Sequence, residues 1–154
     1  MKASIVLIPG MMSTRDVFAH QINYLSDYFN VIVKEFNKYD DIEYGVKDLA
    51  SNLPTEFHLL GHSMGGIVAM ELVRQFSGRV LSLALLNTNP YEEKQELREK
   101  RNQRLRELDE LSLIALMKSD HISRYFPSNN KDKSKLIEKC VEMVSKFDKQ
   151  VFYN

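Results

Sequence analysis

Residues 56–76 read EFHLLGHSMGGIVAMELVRQF, and this stretch decides the fold. Glu56–Leu60 is short, largely apolar and free of proline, as a buried strand requires. Gly61-His62-Ser63-Met64-Gly65-Gly66 follows at once, and then an amphipathic helix pattern runs to Phe76, with Gly78 placed as its C-cap glycine. Gly-x-Ser-x-Gly between a strand and a helix is the pattern of a sharp turn that lifts the serine clear of the chain. Gly61 and Gly65 let strand and helix approach each other, and Gly66 adds clearance.

Working outward, strand and helix patterns alternate from residue 4 to residue 90. Ser4–Ile8 is a continuous apolar strand ended by Pro9-Gly10. Ser13 or Thr14 can cap a helix over Arg15–Ser26. Asn30–Phe36 is a second strand, Ile42–Leu53 a helix stopped by Pro54, and Val80–Leu86 the fourth and most apolar strand. Such alternation, with strands apolar throughout, predicts an α/β fold with a parallel sheet of about four strands and flanking helices. The character changes at Tyr91. Charged residues 92–110, a short apolar-faced segment at 111–117 and an amphipathic stretch from Lys133 predict an all-helical region. The last stretch carries Ile137, Cys140, Val141, Val144, Phe147 and Val151 on one stripe. The expected division is therefore 1–90 and 91–154.

Composition narrows the function classes. Lys+Arg and Asp+Glu are equal at 21 each, so no field favours nucleic acid or an anionic membrane. Cys140 is the single cysteine, which fits a reducing compartment. The apolar run behind Lys2 is too short for a signal peptide, and no stretch is long enough to span a membrane. The expectation is a cytoplasmic protein. No spacing of His, Cys or carboxylates suggests a metal, and no phosphate-binding loop suggests a nucleotide, so no cofactor is expected.

Ser63 is the candidate nucleophile. Attack on an ester carbonyl places negative charge on its oxygen, and two fixed amide donors stabilise that charge by roughly 2.7–4 kcal/mol each. The backbone N–H of Met64, after the serine, and of Met11, after the first strand, are the candidate donors. At LIPGMM (7–12), GHSMGGIVAMELVRQ (61–75) and VLSLALLNTNP (80–90) the sequence resembles the α/β-hydrolase superfamily, in particular its carboxylesterase-like members with a helical cap.

That resemblance implies residues 1–90 as the N-terminal part of the hydrolase core and 91–154 as a helical cap region. It implies a small or medium ester as substrate. It also implies a catalytic Asp and His on two strands after the cap, which this chain does not reach, so the triad acid and base are expected to be missing. The order in this family is Ser, then Asp or Glu, then His. His121 is the only histidine after Ser63, and so the one weak candidate, with Asp109 or Asp120 behind it. His62 is expected to pack beside the turn, His58 to sit in a strand against a helix, and His20 to be structural.

Three functions compete: a carboxylesterase-type hydrolase lacking part of its triad, a non-catalytic binding module, and half of a two-chain or dimer-completed enzyme. With no strand beyond it, Val80–Leu86 is expected to form an apolar sheet edge open to a second copy or a partner chain.

Overall fold

A computed structural model describes residues 2–91, 94–110, 112–120 and 122–147. The chain divides into two compact units, Met1–Pro90 and Tyr91–Tyr153.

In the first unit four strands form one parallel sheet: β1 (Ser4–Ile8), β2 (Asn30–Val33), β3 (Phe57–His62) and β4 (Val80–Leu86), in the order β2-β1-β3-β4. Three helices accompany them: α1 (Ala19–Leu25), α2 (Ile42–Ser51) and α3 (Met64–Phe76). The apolar run of β1 is explained by its place in the middle of the sheet. Val6 and Ile8 face Val46, Leu49, Val68 and Leu72 of α2 and α3. Ile5 and Leu7 face Phe18, with Val17, Ile22 and Leu25 packed beside them. Each face is covered by helix, so neither set of side chains alternates with polar residues.

Several boundaries differ from the sequence expectation. Arg15–Phe18 winds as a 3-10 turn capped by Thr14, and the α-helix begins only at Ala19. The second strand ends at Val33, although Phe36 beyond it is still buried in the core. The third strand runs two residues further than expected, to His62, because its pairing with β4 continues up to the turn. Gly78 is not a left-handed cap. The helix ends at Ser77 in right-handed geometry and tightens into a 3-10 turn over Ser77–Arg79, so no glycine here needs a positive φ.

β4 is the sheet edge. Its outer side bears no strand among the described residues, and Leu81, Leu83, Leu85 and Leu86 are 52%, 38%, 40% and 38% exposed. A strand this apolar is ordinarily covered.

The second unit holds α4 (Gln95–Glu110), α5 (Leu113–Asp120) and α6 (Lys133–Val144). Leu113, Met117, Ile122 and Val144 form its buried residues. Ile137, Cys140, Val141 and Phe147 are half-buried along the same α6 stripe. Val151, expected on that stripe, lies outside the described residues. Burial pushes the Cys140 thiol up, so it is protonated and a poor nucleophile at neutral pH. No helix among the described residues is long and apolar enough to cross a membrane.

Candidate active site

The carboxyl end of the sheet carries the strained backbone. Among the described residues, three other than glycine have positive φ: Met12 (53°), Ser63 (53°) and Asn87 (46°). They follow β1, β3 and β4, whose ends lie side by side through Ile8–Gly61 and His62–Leu86 pairing. Strain of this kind is unfavourable for side-chain-bearing residues and gathers at functional sites. The carboxyl end of a parallel sheet is also where open α/β folds bind their ligands.

Ser63 is the hinge between β3 and α3. With φ 53° and ψ −123° it breaks the strand and starts the helix in one residue. Two hydrogen bonds hold this geometry: Ser63 N–H donates to the Leu86 carbonyl at 2.9 Å, and Gly66 N–H donates to the Ser63 carbonyl at 2.9 Å. The residue is exposed. Among the described residues its hydroxyl has no hydrogen-bond partner.

The turn is this sharp because its glycines leave room. A Cβ on Gly61 would fall closer than 3.0 Å to the backbone of Gly65 and Gly66, and one on Gly65 would meet the Ile8 and Pro9 carbonyls. At Gly66 it would strike Thr88. Their role is space, not left-handed backbone.

Gly10 brings the loop after β1 to the same spot. A Cβ there would lie 3.1 Å from Ser63 Cβ and 3.4 Å from His62 Nδ1. The turn Gly10–Ser13 closes through Ser13 N–H to the Gly10 carbonyl at 3.2 Å. Met11 therefore sits in a fixed turn beside Ser63, and Met64 begins α3, where the first backbone N–H groups have no intrahelical acceptor. The positive end of the helix lies at the same place.

His62 is half-buried, edge-on to Phe18 with ring centroids 6.3 Å apart. Burial holds its pKa below the ordinary value of 6.5, so it is neutral at pH 7. Its Nδ1 is buried with no hydrogen-bond partner. The ring lines a cavity of about 450 Å³ together with Val17, Phe18 and Gln21 on one side and Leu85, Leu86 and Asn87 on the other. Ser63 is not part of that lining.

Of the other histidines, His58 and His20 lie apart from the site. His58 stands against Phe29, in the segment after α1, with its Nδ1 2.8 Å from Ser82 Oγ on β4, so its partners are a loop ring and a strand hydroxyl where a helix was expected. His20 is exposed on α1. His121 lies outside the described residues, and the side chains of Asp109 and Asp120 are likewise not described. Among the described residues no cluster of three His, Cys, Asp or Glu could hold a metal ion. Two residues the sequence did not flag complete the neighbourhood: Asn37, whose Oδ1 accepts the Met12 N–H at 3.2 Å, and Thr88, packed on Gly66.

The alpha/beta hydrolase fold family matches residues 40–116, half of the chain, and the match includes the β3–Ser63–α3 turn. The chain belongs to the alpha/beta hydrolase fold family. Solved structures agree on the fold. An esterase from Thermogutta terrifontis is 24% identical with a TM-score of 0.79, over 94% of this chain and 58% of its own. The enol-lactonase from Burkholderia xenovorans LB400 is 18% identical with a TM-score of 0.83, over 99% and 62%. The 2-hydroxy-6-oxo-6-phenylhexa-2,4-dienoate hydrolase from Rhodococcus sp. strain RHA1 is 18% identical with a TM-score of 0.67, over 97% and 60%. This alpha/beta hydrolase chain thus spans about three fifths of the length of those structures. No curated protein sequence matches it.

Proposed function

We propose that this chain carries the acylation half of a carboxylesterase-type serine hydrolase site. The observation behind this reading is Ser63 itself: exposed, at φ 53°, on a strand-to-helix turn with Gly10 directly beside it. Ser63 Oγ attacks the ester carbonyl carbon as its proton passes to a base. The carbonyl oxygen takes the negative charge and is held by the Met11 and Met64 amides. Collapse expels the alcohol and leaves an acyl group on Ser63, which water then removes. The methionine side chains suit a small or medium acyl group. The single cysteine supports a cytoplasmic setting.

No described histidine is bonded to Ser63, and a serine without a base is a weak nucleophile at neutral pH. An oxyanion hole without a complete triad still gives about 10³–10⁴-fold catalysis over water. The 154-residue chain is therefore expected to label slowly with a fluorophosphonate probe, with all labelling lost in Ser63→Ala. Equal labelling of both, or none of either, overturns the reading.

A dimer-completed enzyme is the second reading, and the exposed leucines of β4 favour it. An apolar, proline-free edge strand offers a free row of backbone N–H and C=O groups. In this reading a second copy adds its own β4 to the edge, antiparallel about a two-fold axis. A binding module without catalysis is supported by nothing specific, since the turn retains serine and its clearance glycines.

A further inference from the structure

We propose that Asn37 is a positioning residue that sets the oxyanion turn, holding the Met12 peptide so that the Met11 amide faces the Ser63 site. The proposal rests on the acyl-Ser63 reading and adds to it a residue that touches no reacting atom.

Met12 occupies the third position of the Gly10–Ser13 turn, where φ is 53° and glycine would ordinarily be favoured. Something must hold a methionine there. Its side chain is 2% exposed, and its N–H donates to Asn37 Oδ1 at 3.2 Å across 25 residues of sequence. The Met11 carbonyl on the other end of that peptide accepts from Ser13 Oγ at 3.4 Å. The preceding peptide is pinned through the Gly10 carbonyl by Ser13 N–H. In a trans peptide the N–H points opposite to the C=O, so the Met11 N–H is turned out of the loop.

Asn37 is a costly choice for this position. Its Nδ2 is buried with no hydrogen-bond partner, and a buried unpaired amide is unfavourable. The side-chain carbonyl is what the position uses. Ser63, by contrast, is held by hydrogen bonds to Leu86 and Gly66, and Asn37 takes part in neither. Loss of Asn37 therefore disturbs the oxyanion donor and leaves the nucleophile's turn in place.

The test compares wild type, Asn37→Ala and Asn37→Asp in the full chain, with p-nitrophenyl butyrate as the acyl donor. Complete loss of an oxyanion donor costs about 10²–10³-fold, so a misaimed one is expected to slow the maximal acylation rate about 10- to 100-fold in Asn37→Ala. The half-saturation constant should stay unchanged, and Asn37→Asp, which keeps the acceptor oxygen, should restore most of the rate. A lower melting temperature in Asn37→Ala with an unchanged acylation rate overturns the proposal, as does equal loss in both variants. Backbone amide exchange of wild type supplies a readout that needs no variant to fold and no activity. A protected Met12 N–H beside a fast-exchanging Met11 N–H is expected, and equal exchange of the two overturns the proposal. Absent acylation with the expected exchange pattern would sink the esterase reading and leave the Asn37 contact standing.

Discussion

At Ser63 one residue joins a strand end to a helix start and leaves its side chain exposed. The arrangement works only because neighbouring side chains have been removed from its surroundings. Gly65 shows this most clearly, since its missing side chain would collide with backbone carbonyls of Ile8 and Pro9 that cannot rotate away. Overpacking typically costs 1–3 kcal/mol, so Gly65→Ala is expected to destabilise the chain by about 3 kcal/mol, checked by urea unfolding. His62 makes a pH prediction at the same scale. Its folded-state pKa lies below its ordinary 6.5, so the unfolded chain binds the proton more readily. Stability is full above pH 6.5 and falls as the pH drops below it. The melting temperature should therefore decline between pH 7 and pH 5, and His62→Phe, which keeps a ring against Phe18, should flatten that decline. An unchanged slope would remove His62 as the cause.

Among the elements, α2 and β4 depend on single devices. The C-terminal end of α2 presents carbonyls that its own helix cannot satisfy. From the turn before β4, Arg79 ties down the last turn of α2 and the segment that follows it: Nη1 donates to the Ala50 carbonyl at 3.0 Å, Nη2 to those of Leu53 at 2.9 Å and Pro54 at 2.7 Å, and Nε to that of Thr55 at 3.3 Å. Its guanidinium also lies 5.8 Å from the ring centroids of both Phe57 and Phe76. Hydrogen bonds to a charged group are worth about 1.5–3 kcal/mol, so Arg79→Ala is expected to cost at least that much in thermal or chemical unfolding. Arg79→Lys should rescue little, because an ammonium cannot span four carbonyls. β4 has the opposite problem, being paired with β3 on one side while its leucines face outward.

For the molecule as a whole, the exposed edge carries a prediction about behaviour in solution. With 21 charges of each sign, no net repulsion keeps copies apart. Size-exclusion chromatography with light scattering should find wild type as a dimer or larger, and the Leu83→Lys, Leu85→Lys double variant as a monomer, since edge lysines oppose strand pairing. A wild-type monomer at the highest soluble concentration would rule out self-pairing through β4.

Local signals were enough for the fold class, the parallel strands and the Ser63 turn, because apolar runs, helical periodicity and glycine spacing act between residues close in sequence. The strand, turn and helix of Phe57–His62, Ser63 and Met64–Phe76 could be read in order for that reason, although the strand ends two residues later and the helix begins three residues earlier than the pattern suggested. Features joining distant positions were not legible. Nothing near Asn37 in the chain points to Met12, 25 residues away, and Arg79 gives no hint of the four carbonyls between residues 50 and 55. His58 looked like a strand residue against a helix, and its partners became Phe29 and Ser82 only when β3 took its place between β1 and β4. Side-chain hydrogen bonds of this kind depend on which backbones pack together, and that is settled by burial of the whole core, not by any window of sequence.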